Sequence, residues 1–238
     1  MPWLDEPFYA TGPTTGSNVY VGGKPAGVAA DDFQEGIARM GGFWRHPSYL
    51  ESYLTASSLL IAQGTQRQDY DDIGLPAFYL QRHATELLLK RLLGWCIDII
   101  DLKVEIAPSA GHRVPSKCCY ALRRSHDLNE LLKALKRTAK LAGENSPPDN
   151  LTDLVGSLAE IEADDHWSRY DHGSHKGKNH IHHKTETTIP IVRLQKLLEE
   201  VISSTVSRAM DDGTYEEELY STWSGLNCAL EDLLEKRA

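Results

Sequence analysis

Apolar residues recur at three- and four-residue steps through most of the chain after residue 46, and this period predicts α-helices. The strongest pattern covers residues 75–103, where Pro76 suits the first turn of a helix. Weaker patterns predict further helices over residues 47–64, 126–141, 150–161, 190–210 and 215–236. No unit of 20 to 50 residues repeats, which excludes a solenoid, and the sequence predicts an all-α fold.

The predicted helices divide the 238 residues into three parts. Residues 1–44 are rich in Gly, Pro, Thr and Ala and predict an irregular N-terminal arm, with a short hairpin around Tyr20 closed by Gly22 and Gly23. Residues 45–212 predict a helical bundle, and residues 213–238 predict a C-terminal helix packed on it.

Three polar stretches predict loops between the helices. They comprise the acidic residues 69–72, the Pro- and Gly-containing connection 105–125, and residues 166–184, where Gly173 and Gly177 interrupt the helical period. Residues 166–184 contain six of the ten histidines and have a formal charge of +3. They are the first candidate for a functional site.

The longest predicted helix also contains charged residues. Arg82, Glu86 and Lys90 stand four residues apart, so they lie on one stripe and predict exposed ion pairs. We interpret His83 and His126 as structural groups, since both lie on a predicted helix or at its end.

The charge balance limits the kinds of partner. With 25 basic and 34 acidic side chains the formal charge is −9, which opposes a broad, non-specific contact with nucleic acid. Any such contact must be local.

The N-terminus lacks a signal-peptide pattern, and no apolar run is long enough to cross a bilayer. Four cysteines without a CxxC pair indicate reduced thiols, and together these features predict a cytoplasmic protein without membrane association.

Three segments resemble the HEPN family of small helical bundles. They are PAFYLQRHATELLLKRLL at residues 76–93, SHDLNELLKAL at residues 125–135 and SRYDHGSH at residues 168–175. The resemblance covers roughly residues 45–210. It implies a metal-independent endoribonuclease without a cofactor, often dimeric, of the kind found in toxin–antitoxin, CRISPR and anti-phage systems.

Active HEPN proteins carry an arginine followed, after four to six residues, by a histidine. Arg169 and His175 match this spacing with five residues between them, so the resemblance implies that both are catalytic. We expect His172 to act as an auxiliary acid, base or substrate ligand. The expected substrate-binding residues are Tyr170, Lys176, Lys178, Arg123 and Arg124.

The residue types themselves suit RNA cleavage. A histidine populates both protonation states near neutral pH, so it can serve as base for the ribose 2'-OH and as acid for the leaving 5'-oxygen. An arginine stays charged and its planar fork can hold two phosphate oxygens. Because DNA lacks the 2'-OH, this chemistry selects RNA.

The expected partners follow from the same resemblance. They are RNA, a second copy of the chain, and an antitoxin or other defence protein. An independent reason for a homodimer is the density of leucines in the longest helix, which one core is not expected to bury completely. These are Leu87, Leu88, Leu89, Leu92 and Leu93.

Two other functions remain open. A HEPN-like subunit without catalysis would bind a nucleotide or a partner protein. A metal-dependent phosphodiesterase would use His180, His182 and His183 with nearby acids or histidines as ligands. The nearby groups are Asp164, Asp165, His166 and His172. Inhibition by a chelator would distinguish the metal-dependent enzyme from the other two.

Overall fold

The longest apolar repeat of the sequence forms one helix of 36 residues, Asp71–Ile106. It begins before the predicted start, because Asp71 and Asp72 occupy its first turn. Carboxylates are favourable there, since they face the positive end of the helix dipole. The prediction of a loop over residues 69–72 was therefore wrong for its last two residues.

The computed structural model describes residues 20–21, 24–39, 49–108, 111, 113–162, 172–175, 178–181, 186–206 and 213–236. The helices in these ranges are α1 (Ala26–Glu35), α2 (Tyr49–Arg67), α3 (Asp71–Ile106), α4 (Ser116–Arg124), α5 (Leu128–Ala142), α6 (Asp149–Ile161), α7 (Ile191–Thr205) and α8 (Tyr215–Glu235). The strands are β1 (Tyr20–Val21), β2 (Lys24–Pro25), β3 (His172–His175) and β4 (Lys178–Ile181). Helices dominate these ranges, which confirms the predicted all-α fold.

The chain divides into two compact units, Met1–Ser48 and Tyr49–Ala238. In the first unit, β1 and β2 pair antiparallel, so the expected hairpin is present. The prediction of an irregular arm was wrong for residues 26–35, because α1 follows the hairpin directly. Its Ala-rich sequence favours helix, and Gly36 ends it in the left-handed conformation at φ 67°.

Helix α3 forms the centre of the second unit and contacts α2, α4, α5, α7 and α8. Leu88, Leu89, Leu92 and Leu93 are fully buried within the single chain, and Leu87 is partly buried against the same core. The expectation that one core would leave these leucines exposed was therefore wrong. The oligomeric state has to be argued on other grounds.

The connection predicted as a loop over residues 105–125 contains α4, which buries Cys118 and Ala121. Pro115 precedes its first residue, a position at which proline costs no helical hydrogen bond. A three-residue junction, 125–127, leads from α4 to α5. Asp127 caps α5, because its carboxylate accepts hydrogen bonds from the backbone N–H groups of Asn129 and Glu130.

Residues 166–184, predicted as a loop, contain a second hairpin. Strand β3 pairs antiparallel with β4, with His172 opposite Ile181 and His175 opposite Lys178. The sequence between the strands is Lys176-Gly177, and glycine is favoured in two-residue hairpin connections. Polar side chains do not prevent strand pairing, since the backbone supplies its hydrogen bonds.

Helix α8 is held to α3 by a buried carboxylate. Glu216 accepts hydrogen bonds from Arg91 Nη2 and from Trp95 Nε1, each at 2.9 Å.

The four cysteines are free thiols, and burial raises the pKa of Cys96 to about 12. Among the described helices, none has a stretch long and apolar enough to span a membrane.

Candidate functional site

A cluster of buried charges lies on one side of α3, where the 125–127 junction and the end of α6 meet it. Arg82 is fully buried and its guanidinium contacts three partners. Its Nη1 donates to Glu86 Oε2 at 3.1 Å, its Nη2 donates to the backbone oxygen of His126 at 2.6 Å, and its Nε forms an ion pair with Glu162. One arginine therefore joins α3, the 125–127 junction and the end of α6.

Glu86 is the acceptor at the centre of this cluster. Its carboxylate lies 2.8 Å from Lys90 Nζ and 2.9 Å from His126 Nδ1, in addition to its contact with Arg82. Burial opposes ionisation, but the neighbouring His83, Lys90 and His126 outweigh it, so the pKa of Glu86 lies well below its ordinary value of 4.5. Glu86 is ionised at neutral pH.

The low pKa of Glu86 makes its contribution to stability depend on pH. A carboxyl group with a lowered folded-state pKa stabilises the fold above its ordinary pKa, and this contribution is lost as the pH falls below it. We expect Glu86→Gln to be markedly less stable than wild type at about pH 7, and the difference to shrink by about pH 3.5. Urea unfolding of both proteins at the two pH values measures this.

The exposed Glu231→Gln, on α8, is the matched control. It should stay within about 0.5 kcal/mol of wild type at either pH. A difference between wild type and Glu86→Gln that is the same at both pH values would contradict ionisation of Glu86 in the folded protein.

His126 is the most exposed member of the cluster. Its side chain is 43% exposed, whereas that of Glu86 is 2% exposed. An ionised carboxylate only accepts, so the Nδ1 that faces Glu86 must be the donor. The Glu86 carboxylate thereby orients the imidazole of His126, as carboxylates orient histidines in many active sites.

Glu162, which precedes the predicted catalytic segment in the sequence, belongs to this cluster. Glu162 is the last described residue before position 172, and its ion pair with Arg82 places it beside the His126 carbonyl. Arg169 follows seven residues later in the sequence. Glu162, seven residues before Arg169 in the sequence, thus lies next to the α4–α5 junction.

The predicted site residues are distributed as follows. Arg169, Tyr170 and Lys176 lie outside the described residues. His172 and His175 lie in β3 and Lys178 lies in β4, where the structure describes the backbone pairing. The structure brings His175 and Lys178 to opposed positions of one hairpin.

Arg123 and Arg124 occupy the last turn of α4 and are exposed. Cations are favourable at a helix C-terminus because they face the negative end of its dipole. The 125–127 junction follows them directly, so both arginines lie close in sequence to the solvent-facing His126. The predicted substrate-binding arginines therefore stand beside the cluster and outside its buried part.

One interpretation of α3 needs correction. Arg82 and Glu86 were expected in exposed ion pairs, yet both are buried, because their partners Glu162 and His126 come from distant parts of the sequence. His126 was interpreted as a structural group, and its hydrogen bond with Glu86 agrees with that interpretation. The four-residue spacing signals that the α3 charges share a face, but only the fold shows that this face is covered.

His83 has a different environment on the same helix. Its ring stacks on Tyr79 with centroids 5.8 Å apart and meets the edge of Tyr53 at 4.4 Å. Its Nδ1 lies 3.9 Å from Glu86 Oε2, too far for a hydrogen bond, and has no hydrogen-bond partner among the described residues. The aromatic packing agrees with a structural role.

The alternative metal site falls mostly outside the described ranges. His180 lies in β4, whereas Asp164, Asp165, His166, His182 and His183 are not among the described residues. Within the ranges that the structure describes, no three His, Cys, Asp or Glu side chains are grouped as metal ligands.

An open groove of about 860 Å³ lies along α7 and is separate from the cluster. Its lining combines apolar residues with both signs of charge, Arg193 and Lys196 beside Asp153 and Glu200. Among the residues that the structure describes, none of the predicted site residues lines it.

Comparison with known proteins returns no relative. No protein-family model, no curated protein and no solved structure matches this chain.

Proposed function

We propose that the chain is a metal-independent endoribonuclease of HEPN-like type that acts as a toxin or an anti-phage defence effector. The observation that supports this most is the ion pair between Arg82 and Glu162, beside the His126 carbonyl. This ion pair holds Glu162, which precedes Arg169 by seven residues in the sequence, beside the backbone of the partly exposed His126. The exposed Arg123 and Arg124 precede His126 directly in the sequence. Acid–base and phosphate-binding groups are the two requirements of RNA cleavage.

In the proposed reaction a histidine base removes the proton of the ribose 2'-OH, and the 2'-oxygen forms a bond to phosphorus. The bond from phosphorus to the 5'-oxygen breaks, and a histidine acid supplies the proton that this oxygen takes. The products are a 2',3'-cyclic phosphate and a 5'-hydroxyl. We assign acid–base work to His175 with His172, and stabilisation of the phosphorane charge to Arg169.

The proposal includes substrate positioning around this centre. Lys176, Lys178, Arg123 and Arg124 would bind phosphates, and Tyr170 would stack on a base. We further propose a homodimer, with a partner protein that restrains the nuclease until it is needed.

A second candidate is a HEPN-like subunit without catalysis that binds a nucleotide or a protein. The engagement of Arg82, Glu86 and Glu162 in contacts with one another favours it, because these charges already have partners within the fold. On this proposal the exposed cations still bind phosphate, but no bond breaks.

The test is incubation of the purified chain with a mixed RNA pool, with and without EDTA. We expect cleavage in both, since the proposed acid, base and cation are side chains. Complete inhibition by EDTA that zinc or manganese reverses would overturn the proposal in favour of the metal-dependent phosphodiesterase. Binding of RNA without cleavage in either condition would favour the second candidate.

A further inference from the structure

Residues 113–140, which span α4, the junction and α5, have a charge opposite to that of the chain as a whole. They contain eight basic and two acidic side chains, a formal charge of +6 within a protein of −9. All eight cations are exposed, namely Arg113, Lys117, Arg123, Arg124, Lys133, Lys136, Arg137 and Lys140. We call this stretch the basic segment.

The acids of the basic segment do not neutralise its cations. The Asp127 carboxylate caps α5, and the Glu130 carboxylate accepts a hydrogen bond from Ser125 Oγ. None of the eight cations forms an ion pair with a carboxylate in the part of the chain that the structure describes. Their charge is therefore directed to solvent.

Four of these cations form one stripe along α5. Lys133 is three and four residues from Lys136 and Arg137, and Lys140 is four and three residues from the same two, so all four lie on the side opposite the fully buried Leu131 and Leu135. The stripe extends over about 10 Å at 1.5 Å per residue. We call it the α5 cationic stripe.

The spacing within the stripe is unfavourable for an isolated helix. Like charges at i,i+4, such as Lys133 with Arg137 and Lys136 with Lys140, destabilise a helix by roughly 0.2–0.5 kcal/mol per pair. In α3, by contrast, Glu86 lies between Arg82 and Lys90 and contacts both. The repulsion within the stripe thus destabilises α5, and no carboxylate of the described residues pairs with the stripe to offset this. We take this as an indication of a binding partner outside the chain.

We propose that the α5 cationic stripe binds the phosphate backbone of an RNA strand and guides it along α4 toward the α4–α5 junction. The stripe would face roughly three phosphates of one strand at duplex spacing. On α4, Tyr120 is 60% exposed among Lys117, Arg123 and Arg124, and an aromatic among cations suits stacking on an unpaired base. Because α5 buries its leucines in the core, it cannot insert them into a lipid surface.

This inference rests on the proposed function for the choice of RNA, and for the cleavage site to which the strand is led. The His175→Ala variant separates binding from cleavage. In that background we compare the fourfold change of Lys133, Lys136, Arg137 and Lys140 to Gln with a control fourfold change of Arg67, Arg193, Lys196 and Lys236 to Gln. The residues of both sets are exposed, and each fourfold change removes four positive charges.

The measurement is fluorescence anisotropy of a labelled single-stranded RNA over a range of salt concentrations. We expect the stripe variant to bind at least about tenfold more weakly than the control, and its salt slope to fall by about 0.7 for each phosphate that the stripe no longer neutralises. Circular dichroism should show the same helical content for both, since Gln is a good helix former.

Equal weakening of RNA binding in the two fourfold variants would overturn the inference, because the loss of net charge alone would then explain the weaker binding. Unchanged RNA binding with weakened binding to phosphatidylserine vesicles would overturn it in favour of a membrane surface. If wild type cleaves no RNA but binds it through the stripe, the inference stands and the proposed function fails. If wild type cleaves RNA and the stripe variant binds RNA as tightly as the control variant does, the inference fails but the proposed function stands.

Discussion

Replacement of His175 or Arg169 by alanine is expected to lower RNA cleavage on the order of 100-fold or more, because each removes an acid–base group or a charge contact from the transition state. Stability should change by no more than about 0.5 kcal/mol, since both residues belong to a polar, glycine-containing segment. The double variant should be little worse than either single one, as expected for residues that act as a unit.

The measurement compares cleavage of a mixed RNA pool by the single and double variants, with thermal melts in parallel. His180→Ala and His182→Ala are the matched controls, since both alter histidines of the same segment. If His175→Ala cleaves as wild type does while a control variant is inactive, the match to the Arg-x(4–6)-His spacing is coincidental. The chemistry would then lie farther along the segment.

Replacement of Arg82 by methionine is expected to destabilise the fold by about 3–5 kcal/mol. The reason is that Arg82 is fully buried, and its removal leaves the carboxylates of Glu86 and Glu162 without their shared cation. It also leaves the backbone oxygen of His126 without this donor. This is the largest effect on stability that we expect from a single substitution in the described residues.

Urea unfolding measures the change, with Arg193→Met on the exposed side of α7 as the matched control. The triple variant Arg82→Met, Glu86→Leu, Glu162→Leu should recover part of the stability, because replacing a whole buried charge network is often near neutral. A difference between Arg82→Met and Arg193→Met of less than about 1 kcal/mol would show that the Arg82 cluster does not stabilise the fold.

The helices were predictable because their period depends on local patterns alone. The α3 repeat and the Asp127 cap show this, since each needs only a few neighbouring residues. Helix α4 was missed because Pro115 and Gly111 before it indicate a loop, whereas its two buried residues are too few for a clear period.

The candidate site was less predictable because it depends on contacts between distant residues. Glu86 meets a histidine 40 positions away, and Arg82 meets a carboxylate 80 positions away. No local pattern distinguishes this buried cluster from an exposed ion-pair stripe. The motif at Arg169 and His175 could be proposed from spacing, but the position of Glu162 beside the α4–α5 junction required the fold.

The central claim is that this chain cleaves RNA through the ribose 2'-OH, and the ends of the cleaved RNA test it most directly. The measurement is end-group analysis of a defined RNA oligonucleotide after incubation with the chain in EDTA, beside the same oligonucleotide with 2'-O-methyl groups. We predict 2',3'-cyclic phosphate and 5'-hydroxyl ends from the first and no cleavage of the second. Products with 3'-hydroxyl and 5'-phosphate ends, or cleavage of the methylated strand, would contradict it.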